Sequence, residues 1–165
     1  MNFVEMPELE TARLKLRRLS LEDVYDYYER LGSDGEVTKF LLSEPHQDIG
    51  ETLELIQESL VRYGEEEQFY RWGIENEDGL IGLIELYRFD EQNDSCPFSC
   101  MLGKPWWNRG YAAEALKEVF RFAREELGAK KITADHMAAN PASGAVMRKA
   151  GMVQVGTIPG KYEKH

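Results

Sequence analysis

The feature that most limits what this chain can become is the run Trp106-Trp107-Asn108-Arg109-Gly110-Tyr111-Ala112-Ala113-Glu114-Ala115-Leu116. It stands between a short apolar run, residues 98–102, and a strongly amphipathic stretch. It therefore reads as a strand, a loop and the first turn of a helix. Gly110, Ala112 and Ala113 carry too little side chain to keep another molecule off the backbone. First-turn amides have no partner inside a helix and carry the positive end of its dipole. Arg109, Gly110, Tyr111, Ala112 and Ala113 are thus a candidate site for a phosphate or diphosphate. A plainer reading of the same residues is that Gly110 turns the chain and the alanines pack, since short glycine motifs recur by chance.

The helix that follows is the clearest in the chain. Leu116, Val119, Phe120, Ala123 and Leu127 make one apolar stripe, and Gly128 supplies a C-terminal cap. Upstream, Leu14, Leu16 and Leu19 fit a first strand, with Arg13, Lys15 and Arg17 on its other face. Ser20 caps a helix running to about Leu31, and Asp48 caps a second with Leu53, Ile56 and Leu60 at helical spacing. Strands are expected over 69–75 and 80–89, joined by Asn76-Glu77-Asp78-Gly79, whose Asp-Gly pair signals a hairpin. A loop through Asn93, Asp94 and Pro97 leads into the strand at 98–102. A strand over 131–136 and a helix opened by Asn140 and Pro141 complete an alternating α/β order, expected to be one domain over 1–165.

No apolar run approaches the ~20 residues needed to span a membrane, and the first residues lack a signal-peptide pattern. Cys96 and Cys100, the only cysteines, lie four apart on a strand, too far for a ready disulfide, and no second pair completes a metal site. A reduced, cytoplasmic setting is expected. The net charge of −10, from 30 acidic and 20 basic residues, repels nucleic acid and attracts cations. Such a balance favours an amine or basic peptide as partner, although acidic surfaces also serve solubility alone.

At the right distance after the first loop comes Asn140-Pro141-Ala142-Ser143-Gly144-Ala145-Val146-Met147-Arg148-Lys149-Ala150-Gly151-Met152. The two segments together resemble motifs A and B of the GNAT superfamily of N-acetyltransferases, with wording closest to the RimJ/RimL-like branch. Thr11-Ala12-Arg13-Leu14-Lys15-Leu16-Arg17 is similar to that branch's opening, with its Glu displaced to Glu10. The resemblance implies an α/β (α+β) GNAT fold: a mixed, mostly antiparallel central sheet with helices on both faces. It implies acetyl-CoA as co-substrate and an amine as acceptor, with no metal.

Further roles follow from the same resemblance. Pantetheine would run along the strand at 98–102 as an added strand does. A backbone N–H near Met101 or Leu102 would face the thioester carbonyl. The strand at 131–136 would splay away to make room. For the base that takes the amine proton, Glu85 and His136 both stand open; a charged residue within an apolar strand also reads as one that simply faces water. Met147 occupies the position where many members carry a tyrosine as general acid, which leaves Ser143 for that role. Asn140 would cap its helix and contact the cofactor, as Ser143 also would.

Two points depart from the family pattern. Trp107 replaces the usual first residue of the phosphate loop, a change the RimJ/RimL-like branch tolerates. The chain also ends at His165, so the final strand is expected to be truncated, with a homodimer covering the exposed edge. Two functions fit these residues: an N-acetyltransferase, or an acyl-CoA-binding module without turnover. Acceptor choice in the family lies largely in the region 21–63, where nothing names a substrate.

Overall fold

A near-continuous apolar run in a strand requires cover on both faces. Residues 80–86 have that character, and in the computed structural model they form the centre of the sheet. The structure describes residues 1–39, 44–134 and 146–151. β1 (Leu9–Glu10) and β2 (Lys15–Arg17) pair antiparallel and lead through a 3-10 turn (Leu21–Asp23) into α1 (Val24–Tyr27). A π-helical turn (Tyr28–Gly32), α2 (Gly35–Thr38) and α3 (Ile49–Glu65) follow. Then come β3 (Tyr70–Asn76), β4 (Gly79–Leu86), β5 (Ser95–Leu102), α4 (Tyr111–Glu125) and β6 (Lys131–Thr133). The sheet runs β1-β2-β3-β4-β5-β6, antiparallel throughout except for the parallel pair β5–β6.

Two cores flank this sheet. Trp72, Ile74, Ile84 and Leu86 pack with Leu116, Val119, Phe122 and Ala123 of α4. Leu80 and Leu83 pack instead with Leu19, Tyr27, Leu31 and Ile56, which brings α1 and α3 against the other face. The expected mixed, mostly antiparallel sheet with helices on both sides is therefore observed. The helix stripe is too: Leu116, Val119, Phe120, Ala123 and Leu127 are all buried. Gly128, at φ +78°, ends the helix, and the Ala129 N–H reaches back to the Ala123 carbonyl at 2.9 Å.

Local chemistry fixes the ends of the elements. Asp23 accepts from the Ser20 N–H at 2.7 Å while gripping Arg17 through two bonds of 2.9 Å, which ties the start of α1 to β2. Asp48 Oδ1 accepts from the Glu51 N–H at 3.1 Å and caps α3 as expected. The hairpin turn forms at 76–79, with Gly79 at φ +95° and Asn76 Oδ1 accepting from the Asp78 N–H.

Three features differ from the sequence expectation. The expected first strand shortens to β2 and is preceded by an unexpected strand, β1, which pairs with it because the chain folds back at Thr11, whose N–H bonds the Leu14 carbonyl at 2.9 Å. Short α2, capped by Asp34, has no periodic pattern to announce it. On α3 the buried stripe is Thr52, Ile56 and Ser59, while Leu53 and Leu60 remain 38% exposed. Buried hydroxyls replace leucines there because polar partners await them: Thr52 meets His46 at 2.6 Å, and Ser59 meets Arg71 at 2.7 Å. β6 is described only to Thr133, and the final strand and the dimer edge drawn from it lie outside the described residues.

Glycine at position 82 is a packing requirement of the β4–β5 pair. A Cβ there would stand 2.5 Å from the Met101 carbonyl oxygen and 3.1 Å from the side chains of Ile74 and Leu102. Gly82→Ala is expected to destabilise the fold by about 1–3 kcal/mol, the usual cost of overpacking. Gly64→Ala, in α3 with nothing within 4 Å of the added carbon, is expected to stabilise by about 0.5–1 kcal/mol. Urea midpoints moving in opposite directions for the two variants would bear this out.

Candidate active site

The loop between β5 and α4 is held by two tryptophans that do different jobs. Trp106 is buried, lies against Gly103 and donates from Nε1 to Asp78 Oδ2 at 3.0 Å. The Arg30 guanidinium covers its ring at 5.0 Å from the centroid. Trp107 is exposed but donates from Nε1 to the Leu102 carbonyl at 2.7 Å. Between them and the helix, Asn108 (φ +61°) and Gly110 (φ +80°) take left-handed backbone conformations that reverse the chain. Gly110 is the N-cap of α4, and among the described residues no side chain caps the helix. The amides of Tyr111, Ala112 and Ala113 therefore open a 15-residue helix with no side-chain oxygen to satisfy them.

β5 runs straight into this loop, and its two edges are unlike. Toward β4 the register pairs Leu86 with Phe98, Ile84 with Cys100 and Gly82 with Leu102. The Tyr87 N–H reaches the Pro97 carbonyl at 3.3 Å and the Gly103 N–H reaches the Ile81 carbonyl at 2.8 Å. In an antiparallel ladder, alternate residues exchange bonds with the partner strand. Pro97, Ser99, Met101 and Gly103 therefore face β4, and Phe98, Cys100 and Leu102 present their backbone groups to the other edge. There, among the described residues, β6 pairs with Ser95, Cys96 and Pro97. Beyond Pro97 no described strand pairs with that edge.

Of the two residues expected to offer an amide, this register separates the pair. The Met101 backbone is turned toward β4, consistent with its carbonyl crowding Gly82, so its N–H is not on the open side. Leu102 is on the open side. Its N–H has no protein acceptor among the described residues, while its carbonyl is taken by Trp107.

Glu85 is neither exposed nor isolated. Its side chain retains 22% exposure and pairs at 3.3 Å with Arg71 of the adjacent strand, the residue directly opposite. Arg71 also donates to Ser59 Oγ at 2.7 Å, and its buried Nε has no partner among the described residues. Tyr27 stands close enough to feel both charges. Burial pushes its phenol up, Arg71 draws it down and Glu85 raises it. The Tyr63 hydroxyl donates to the Arg71 carbonyl and accepts from the Leu19 N–H. A polar cluster thus lies between the sheet and α1 and α3, on the face opposite α4. Sequence reasoning missed Arg71, although an opposite charge on a neighbouring apolar strand was a usable signal.

The remaining expected residues divide cleanly. His136, Asn140 and Ser143 lie outside the described residues. Met147 packs against the α4-side core beside Val146 and Ala150. Cys100 and Cys96 are free thiols, and burial pushes them up to about 12 and about 11. Each stays protonated at neutral pH, so neither offers a thiolate nucleophile. Among the described residues no cluster could hold a metal ion and no helix is long and apolar enough to cross a membrane.

Sequence also missed the contact between the loop and the first hairpin. The Glu114 carboxylate, in the first turn of α4, accepts from Thr11 Oγ1 at 2.5 Å, the Arg13 N–H at 3.0 Å and Arg13 Nε at 2.8 Å. Burial alone would raise this carboxyl, but the bonds from Thr11 and Arg13 outweigh it and hold it below the usual range. Arg13 also donates to the Arg109 carbonyl at 3.1 Å and stacks on Tyr111 at 4.2 Å from the ring centroid.

Comparison with known proteins agrees with this geometry. Residues 13–153 match the acetyltransferase (GNAT) domain family. The uncharacterized N-acetyltransferase YoaA of Bacillus subtilis is 29% identical over 154 residues, covering 92% of this chain and 86% of the relative. The uncharacterized N-acetyltransferase p20 of Bacillus licheniformis is 29% identical over 161 residues, covering 96% and 89%. Among solved structures, the spermidine N-acetyltransferase of Vibrio cholerae in complex with CoA and spermine superposes with a TM-score of 0.74. It shares 21% identity, and the match covers 88% of this chain and 84% of that one. With its family model matched over most of its length and its fold shared, the chain belongs to the GNAT acetyltransferases, enzymes that transfer an acetyl group from acetyl-CoA to an amine.

Proposed function

We propose that this N-acetyltransferase holds acetyl-CoA along the open edge of β5, with the diphosphate on the first-turn amides of α4. The observation that carries this reading is the β4–β5 register, which turns alternate residues of β5 to the edge away from β4, where, among the described residues, pairing with β6 reaches only Pro97. It leaves the backbone groups of Phe98, Cys100 and Leu102 for a ligand that can pair as a strand would. The same edge leads directly to the uncapped N-terminus of α4, where Arg109, Gly110, Tyr111, Ala112 and Ala113 supply amides and little side chain. Acetyl-CoA supplies the activated acyl group; the protein supplies position, charge and a proton path.

In this arrangement the Leu102 N–H is the donor for the thioester carbonyl oxygen, and Met101 contributes its side chain to the α1–α3 side instead. The acceptor amine enters from that side, where Glu85 takes its proton directly or through water. Arg71 keeps Glu85 oriented through their 3.3 Å ion pair. Ser143 remains the residue assigned to protonate the leaving thiolate, and Asn140 a cofactor contact, both from the family pattern. The acceptor is a small amine or a peptide N-terminus, in keeping with the RimJ/RimL-like resemblance and with the net charge of −10. The whole chain works as a single domain.

Two measurements test this. Gly110→Val places a β-branched residue at φ +80° and on the diphosphate path; it is expected to weaken CoA binding by at least about ten-fold in calorimetry, and unchanged affinity would remove the assignment. Glu85→Gln is expected to lower kcat by about ten-fold or more in thiol release from acetyl-CoA with a panel of amines. It should also remove the acidic limb of the pH–rate profile, whereas an unaltered profile would place the base elsewhere.

A further inference from the structure

An acidic residue in the first turn of a helix normally suits the dipole, but it opposes any anion brought to the same amides. Glu114 has that position, and its N–H closes the first helical bond to the Gly110 carbonyl at 3.0 Å. Left bare, its carboxylate would face the ligand's charge across a gap of one helical turn. It is not bare. Thr11 Oγ1, the Arg13 N–H and Arg13 Nε all converge on it, from a hairpin about a hundred residues earlier in the chain.

We propose that Arg13 is a positioning residue for acetyl-CoA, acting through Glu114 and Arg109: it cancels the carboxylate beside the diphosphate site and clamps the loop that forms it. Its guanidinium joins three parts of that loop at once. Nε pairs with Glu114, a second nitrogen bonds the Arg109 carbonyl at 3.1 Å, and the plane lies over the Tyr111 ring at 4.2 Å. Another guanidinium nitrogen stands 3.5 Å from where a Cβ on Gly110 would be. Removing Arg13 would therefore expose a negative charge and free the Asn108–Gly110 reversal together.

The neighbouring charges carry the same sign of argument. The chain has a net charge of −10, yet the cleft running from Thr11 and Gly110 along α4 is not acidic in effect. Its two carboxylates are both matched, Glu114 by Arg13 and Glu118 by Arg121 at 2.7 Å. Its two lysines, Lys117 and Lys149, enter no ion pair among the described residues. Surface pairs of this kind add little to stability. Their arrangement here has a second consequence: this cleft beside the diphosphate loop is left cationic on a molecule of net negative charge, which favours a polyanion.

This inference rests on the diphosphate reading, and the test separates the two. KM for acetyl-CoA, KM for the amine and kcat would be measured for wild type, Arg13→Ala and the double variant Arg13→Ala/Glu114→Gln, with CoA affinity of Gly110→Val in parallel. Arg13→Ala is expected to raise KM for acetyl-CoA about ten-fold at low salt, with the amine KM and kcat nearly unchanged. Glu114→Gln in that background removes the bared charge while keeping an acceptor for Thr11, and is expected to recover most of the loss. The defect of the single variant should also shrink as salt screens Glu114. A merely structural Arg13 would give a double variant no better than the single one and a defect indifferent to salt, and either result overturns the proposal. Should Arg13→Ala prove too unstable to assay, Arg13→Gln with the same rescue decides the matter by the same criteria. Unchanged CoA binding in Gly110→Val would overturn the diphosphate reading itself, whereas loss there with full affinity in Arg13→Ala would overturn only the role of Arg13.

Discussion

Everything at the site depends on the register of β5 against β4, which turns the backbone groups of Phe98, Cys100 and Leu102 to the edge away from β4. Among the described residues β6 pairs with that edge only as far as Pro97. That edge leads straight into the helix start that suits an anion.

The other edge of β5 explains why the open one is so well defined. Gly82 brings the β4 and β5 backbones close enough that no side chain fits between them, and the register from Leu86 to Gly82 carries no bulge. That register decides which amides point outward, and a one-residue slip would exchange Leu102 for Met101. Trp107 then fixes the strand end by taking the Leu102 carbonyl, and Trp106 fixes the loop to the β3–β4 turn through Asp78. The two adjacent tryptophans thus serve geometry rather than packing alone.

Much of this was legible from the residues. The α4 stripe, its glycine cap, the Asp-Gly hairpin and the small-residue loop all carry local signals, and each appears where its pattern placed it. The contacts that were not legible are those between distant segments. Nothing near Arg13 announces that it meets Glu114 and Arg109, and an apolar spacing on α3 hides that Thr52 and Ser59, not Leu53 and Leu60, are the buried residues. Glu85 was singled out as a charge in an apolar strand, but its meaning depends on Arg71 across the ladder, which periodicity along one strand does not reveal. The choice between Met101 and Leu102 likewise needed the sheet register.

The most direct measurement is a crystal structure of the protein with a non-hydrolysable acetyl-CoA analogue. The diphosphate is expected within hydrogen-bond distance of the amides from Gly110 to Ala113, with the pantetheine amides paired to Phe98, Cys100 or Leu102 and the thioester oxygen facing the Leu102 N–H. An analogue bound elsewhere, with the outer edge of β5 paired to the chain's own backbone, would contradict the account.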